Sequence, residues 1–472
     1  MKTIFRLTTL AIASLVLAGC ASVNIDQAVQ ETNDTADPFT QGKLELSRTE
    51  QQQQARSKLA IALLAEPLTM DGAVQLALAN SPAVQTLLAQ SWSEMALANQ
   101  RGRIANPVFS FQHLRFGAEL EIERLLSFGL LDLLTLPQRQ LIARAEVEQF
   151  KSQLSADVVD HVTLVRQAWV RAVSAQQTLQ YAKQVNSSAQ ASSELARRMQ
   201  QVGNFTKLQR ARQQAFYADS VAQLASAGNA AIADREELIR LLGLTDAQST
   251  ELKLPDRLPD LPKEPRQPSV VNANAMQQRL DVRLARNQLD IAGKAQGLSL
   301  LSSLVDTEVG IRRDTVFDNA AGTKTPRTGY ELAIRLPVFD WGSAQRQAMN
   351  AQSLAAANRY ESIVRGASSQ LRQSYSAYRT AHDVASHYRD EIVPLRKVIA
   401  EENQLRYNGM LISVFELLAD SREQVSSVIA AINAYQQFWL ADAALAASTT
   451  GKPVTMATML MPAGSNTSQA GH

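Results

Sequence analysis

The sequence predicts a mainly α-helical protein with a small β part, built twice over. Three observations predict it: apolar residues recur in alternating steps of four and three along two stretches, strand-like segments with a period of two accompany each, and no apolar run of helix-spanning length follows Cys20. In the first half Val158, Val162, Val165, Trp169, Ala172, Gln176 and Leu179 make such a series, the seam one helix presents to another. The second half closes with Leu418, Ser421, Val425, Val428, Ile432, Tyr435 and Trp439. A hydrophobic content of 45 % in 472 residues allows a large folded body, and alanine fills much of that share, which suits long, closely packed helices. The balance of 47 basic and 45 acidic residues implies no nucleic acid or other polyanion as partner.

At the N-terminus, Lys2 and Arg6 precede an apolar stretch from Leu7 to Leu17, and Leu17-Ala18-Gly19-Cys20 ends it as a bacterial lipobox does. Residues 1–19 are therefore expected to be a signal peptide, and Cys20, the single cysteine, the lipid (palmitate) attachment site. An ordinary cleaved export signal that ends near a cysteine is the alternative. Residues 20–66 are polar and read as a tether. Thr69 is expected to cap one helix, and Ser81, with Pro82 at the first helical position, to cap the next. The first repeat spans residues 67–250, a Pro-rich linker 251–270, the second repeat 271–449, and a tail expected to be disordered 450–472. In the linker Pro255, Pro259, Pro262, Pro265 and Pro268 forbid a helix and favour an extended strap.

Each repeat is expected to hold two strands. In Ala118–Glu123 the apolar residues share one face and Glu119, Glu121 and Glu123 the other. Tyr330, Leu332, Ile334, Leu336 and Val338 likewise alternate with Glu331, Ala333 and Arg335, and the expected partners are 108–113 and 308–312. An apolar-out, charged-in strand fits a membrane barrel with a wet lumen, lined by Glu119, Glu121, Glu123, Glu308, Arg312, Glu331 and Arg335. Four strands cannot close a barrel, and an open edge in lipid strands backbone donors and acceptors, so the chain must associate. A small sheet on a soluble helical protein is the alternative. The helix from about Gln138 to Val202 would reach roughly 90 Å at ~1.5 Å per residue. Pro394 is expected to kink its counterpart, and Gly203 and Asn408-Gly409 to punctuate two helical hairpins.

No catalytic, cofactor or metal site is expected: His113, His161, His382, His387 and His472 are scattered, and neither a phosphate-cradling loop nor a nucleophile elbow is present.

The stretch LTMDGAVQLALANSPAVQ, Leu68 to Gln85, resembles the opening of the outer-membrane efflux protein family, the TolC-like channels. Leu336-Pro337-Val338-Phe339-Asp340-Trp341-Gly342 is similar to that family's passage from strand to helix, and the resemblance extends over about residues 66–449. It implies a homotrimer in which four strands per chain contribute to a 12-stranded transmembrane β-barrel continuous with a long α-helical barrel. It also implies an exit duct of a tripartite efflux or secretion system in the outer membrane, lipid-anchored and extending into the periplasm, with a periplasmic adaptor (membrane fusion) protein and an inner-membrane transporter as partners. The adaptor would meet the hairpin tips at Val202, Gly203 and Asn204, and at Asn408, Gly409 and Met410. The second tip departs from the family pattern, with Met410 where a glycine is usual. Glu416 falls at the family's acidic position near the periplasmic mouth, a candidate gate, with a solvated carboxylate as the alternative reading. The rival functions are a periplasmic adaptor lipoprotein and a non-channel coiled-coil scaffold. No Met/His/Cys cluster points to a metal cargo.

Overall fold

The computed structural model describes residues 24–117, 119–267, 279–302, 306–335, 338–339 and 341–451. Cys20, Ala118, Pro268, Leu336, Pro337, Asp340 and the 452–472 tail lie outside the described residues. In chain order the first half holds α1 (Ile25–Thr40), α2 (Glu50–Leu64), α3 (Met70–Asn80), α4 (Pro82–Arg101), β1 (Val108–Phe116), β2 (Glu119–Gly129), α5 (Leu130–Leu134), α6 (Leu136–Gln201), α7 (Lys207–Leu242) and α8 (Asp246–Glu251). The second holds α9 (Leu280–Ser302), β3 (Asp306–Asp318), β4 (Thr323–Arg335), α10 (Ser343–His387), a π-helical turn (Tyr388–Ile392), α11 (Val393–Asn408) and α12 (Val414–Thr450). The succession helix, strand pair, long helix, returning helix therefore occurs twice.

Local chemistry sets the boundaries. Thr69 accepts from Gly72 N and caps α3, as its position before the apolar run predicts. Ser81 does not cap α4: its hydroxyl is buried without a hydrogen-bond partner. The polar stretch read as a tether holds two helices, α1 with Phe39 buried and α2 started by a Thr49/Gln52 capping box. Pro394 follows the π-helical turn. A wide turn immediately before a proline accommodates the missing amide and the ring, so the α-helical ladder is interrupted at Tyr388–Ile392.

The chain divides into two compact units, each drawn from both halves. The first contains residues 89–154 and 281–365 and is built around a four-stranded antiparallel sheet in the order β1-β2-β3-β4. Both β3 and β4 run longer than the sequence pattern suggests at the turn end, while β4 stops at Arg335, short of Val338. Where α4 enters β1, the Arg139 guanidinium donates to the carbonyls of Arg101 (3.1 Å) and Arg103 (3.2 Å), and Arg101 pairs with Glu146 at 2.8 Å. These contacts fix where the helices give way to the sheet.

The second unit contains residues 29–88, 155–280 and 366–472. The first predicted seam is its core: Val158, Val162, Val165, Trp169 and Ala172 are all buried. In α12 the predicted seam is fully buried only at Ile432, with Tyr435 and Trp439 packed against the core, and the main buried stripe lies beside it. Ser421 is exposed and Tyr435 half-buried, whereas Ala434, Phe438, Ala441 and Leu445 pack with Leu371, Tyr378 and Ala385 of α10. The Pro-rich strap lies across this core as an extended segment, with Leu258 and Leu261 buried. Trp439 Nε1 donates to Pro259 O at 3.1 Å, and Arg266 N donates to the Tyr378 hydroxyl at 3.1 Å. Trp169 Nε1 similarly holds Leu68 O at 2.8 Å. Both tryptophans are thus packing residues with a satisfied indole N–H.

Candidate functional site

The strand register sorts the sheet's side chains into two faces of opposite character. Phe109, Leu126, Ile311 and Tyr330 align as one rung across all four strands, and Phe128, Val309 and Leu332 as the next. Phe109, Phe128, Ile311, Tyr330, Leu332 and Ile334 on this face are exposed, Tyr330 by 90 %. Three arginines missed in the sequence pattern, Arg115, Arg124 and Arg313, interrupt this face, and Arg124 Nη1 donates to Thr315 Oγ1 at 3.3 Å. The sheet's outer strands, β1 and β4, each pair on one side among the described residues.

The opposite face is charged on β2, β3 and β4, whereas β1 sets the exposed Val108, Leu114 and Phe116 on it. Glu119, Glu121 and Glu123 of β2, Glu308 and Arg312 of β3, and Glu331 of β4 all fall on it by register, and the side chain of Arg335 lies outside the described residues. Arg312 joins three carboxylates, contacting Glu123 at 2.6 Å, Asp314 at 2.7 Å and Glu331 at 3.7 Å. Arg327 reaches Glu121 at 3.7 Å. Asp314 and Arg327 belong to this set although neither was expected. The period-two pattern of β3 fades in RRDTVFD, and only pairing against β2 brings Asp314 opposite the glutamates.

Each helical hairpin turns at an exposed tip. In the first, Gly203 adopts φ +82°, and the N–H groups of Asn204 and Phe205 return to Met199 O at 2.9 and 3.2 Å. Thr206 and Gln209 then form a reciprocal capping box that starts α7. In the second, Gly409 has an ordinary φ of −82° and Met410 takes the left-handed turn position at φ +58°. Leu411 N donates to Arg406 O at 2.8 Å, closing the helix end, and Ser413 and Glu416 form the capping box of α12. Met410 is thus the counterpart of Gly203, and Glu416 of Gln209. Glu416 is exposed, and its Oε2 accepts from Ser413 N at 3.2 Å. Val202, Leu208, Met410 and Leu411 expose apolar side chains at the tips, Met410 by 93 %.

The structure resembles solved outer-membrane channels. The Campylobacter jejuni CmeC outer membrane channel aligns with a TM-score of 0.68 and 15 % identity, covering 89 % of this chain and 92 % of that one. The Vibrio cholerae outer membrane protein VceC aligns at 0.66 and 14 % identity, with 81 % and 96 % covered. The outer-membrane channel OprN aligns at 0.65 and 17 % identity, with 87 % and 94 % covered. No family model matches the sequence, and no curated protein matches it. The chain has the TolC-like fold, which accounts for its duplicated hairpins and its open sheet.

Proposed function

We propose that this protein is an outer-membrane exit duct of a tripartite efflux or secretion system, assembled as a homotrimer. The observation that carries the reading is the sheet: two open edges, one apolar face exposed and one charged face. An exposed apolar face and unpaired edges are both costly in water, and an open edge costs several kcal/mol per unsatisfied backbone group in lipid. Joining β4 of one chain to β1 of the next removes every edge, and three copies give a 12-stranded barrel. The apolar rungs then face lipid, and Glu119, Glu121, Glu123, Glu308, Arg312 and Glu331 face a wet lumen. The likeness to solved outer-membrane channels supports this reading.

In this account passage is passive. The lumen supplies no chemistry, and the long helices carry the conduit into the periplasm. The exposed tips at Val202, Gly203, Asn204 and Asn408, Gly409, Met410 offer the apolar side chains of Val202 and Met410, a surface suited to a periplasmic adaptor that links the duct to an inner-membrane transporter. Cys20 carries the lipid, and one lipidated site per chain supplements a barrel that itself holds the membrane. Glu416, repeated three times about an axis, is the candidate source of charge selection at the periplasmic mouth.

Proteoliposomes containing the purified chain should swell in an isotonic solution of a small neutral solute. Vesicles that remain impermeable while the protein is incorporated would overturn the proposal in favour of a scaffold or adaptor.

A further inference from the structure

We propose that Glu121, Glu123 and Asp314 form a calcium-binding site on the charged face of the sheet. The proposal rests on the sheet's geometry and stands whether or not the chain conducts. One carboxylate oxygen from each of the three residues lies within 4.8 Å of those of the other two. Oxygens bound to one calcium ion stand about 2.3–2.6 Å from it, so two on opposite sides are separated by roughly that span. The ligands come from two strands. Glu123 and Asp314 fall opposite each other between the Ile122–Thr315 and Leu125–Arg312 pairs, and Glu121 projects from the same face of β2.

A second observation points to a bound cation. Asp314 is only 7 % exposed, and its Oδ1 is buried with no hydrogen-bond partner, while Oδ2 accepts from Arg312 Nε at 2.7 Å. A buried carboxylate oxygen is ordinarily satisfied, and the resident arginine satisfies one oxygen of the two. Around it, Glu121, Glu123, Asp314 and Glu331 carry four negative charges against the two positive charges of Arg312 and Arg327, leaving a deficit that one divalent cation balances.

The donor set is all oxygen, which selects a hard cation over zinc or copper. Calcium accepts irregular geometry and completes its shell with water, whereas magnesium demands near-ideal octahedral order and dehydrates reluctantly. Three carboxylates already engaged with arginines suit the first ion. Calcium bound here would brace β2 to β3 and reduce the negative charge of that face.

Equilibrium dialysis of the purified full-length protein in detergent against radioactive calcium chloride tests the site. Wild type should bind about one calcium per chain, with magnesium at the same concentration displacing little of it. Glu121→Gln and Asp314→Asn should each weaken binding at least roughly tenfold, and Glu308→Gln, on the same face outside the trio, should leave it unchanged. Glu121 is half-buried and outside the Arg312 contacts, so its variant decides the matter if Asp314→Asn fails to fold. Absence of calcium binding in wild type, or wild-type affinity in Glu121→Gln, would overturn the proposal. A loss as large in Glu308→Gln as in Glu121→Gln would do so too, by showing general attraction to a charged face.

Discussion

Gly243 closes against Ser81: a methyl group on Gly243 would stand 2.7 Å from the Ser81 Cα. The second repeat makes the same closure, where a methyl on Gly451 would stand 2.8 Å from the Arg279 Cβ and 2.5 Å from the Leu280 nitrogen. Both glycines end the returning helix of their repeat in a left-handed conformation, at φ +65° and +106°. Each junction is also clasped by polar side chains. Asn80 Nδ2 donates to Gly243 O at 2.8 Å, and the buried Arg279 donates to Ser448 O at 2.9 Å and Ala367 O at 3.3 Å. Duplication therefore shows in contacts as well as in element order.

These junctions should resist any side chain. Gly243→Ala and Gly451→Ala combine a left-handed residue, costing about 1–2 kcal/mol, with a backbone that cannot yield as a flexible side chain would. Each should lower the thermal midpoint measured by helical circular dichroism. Gly228→Ala, within α7 and with open space at its Cβ, should hold or raise it by up to about 1 kcal/mol in stability. Equal effects at all three positions would contradict the closure.

Met410 offers the reverse test. A non-glycine residue at φ +58° carries backbone strain of about 1 kcal/mol, and its side chain is almost wholly exposed, so little packing offsets it. Met410→Gly should stabilise the second hairpin tip by up to about 1 kcal/mol, read as slower amide exchange in residues 405–413. Faster exchange there would show that the methionine side chain holds the tip.

Much of this fold was legible in the sequence where a local rule acts alone. The first seam, the Thr69 cap, the Pro-rich strap and the alternation of Glu119, Glu121 and Glu123 each follow from spacing within one segment. The rest depends on partners. Ser421 keeps heptad spacing yet is exposed, and Tyr435 packs only at the margin of the core, because Phe438 meets Tyr378 across a helix pair whose angle no single helix encodes. Residues 25–40 looked like a tether because their apolar positions gain meaning only with something to pack on. Asp314 became visible through register against β2, and Glu416 acquired a capping role that its spacing from Ser413 could have signalled.

Electrostatics on α6 gives a pH-dependent signature. Glu194 accepts from Arg197 at 2.7 Å and from Arg198 at 2.8 Å, and these hydrogen bonds hold its carboxyl at about 2, below the ordinary value of 4.5. A depressed folded value means that the stabilisation is fully present above 4.5 and is lost as pH falls through about 2. A carbon-13 carboxyl titration, with the signal assigned by its loss in Glu194→Gln, should give a midpoint of about 2. A midpoint near 4.5 would mean that the arginines do not hold the carboxylate in solution.

The capping geometry supplies a clean variant for the gate. Gln209 performs in the first hairpin the capping that Glu416 performs in the second, so Glu416→Gln removes charge while preserving the helix start. Cation preference should fall in the variant, seen as a smaller reversal potential across a salt gradient. An unchanged reversal potential would assign Glu416 to capping alone and leave the sheet carboxylates as the source of charge selection.

Single-channel recording of the purified wild-type protein in a planar bilayer tests the conduit most directly. The account predicts discrete conductance steps from trimeric protein, and their loss when Leu332→Arg sets a charge on the lipid-facing rung, at a cost of about 2–4 kcal/mol per chain near the bilayer midplane. Wild-type protein that enters the bilayer as a stable monomer and passes no current would contradict it.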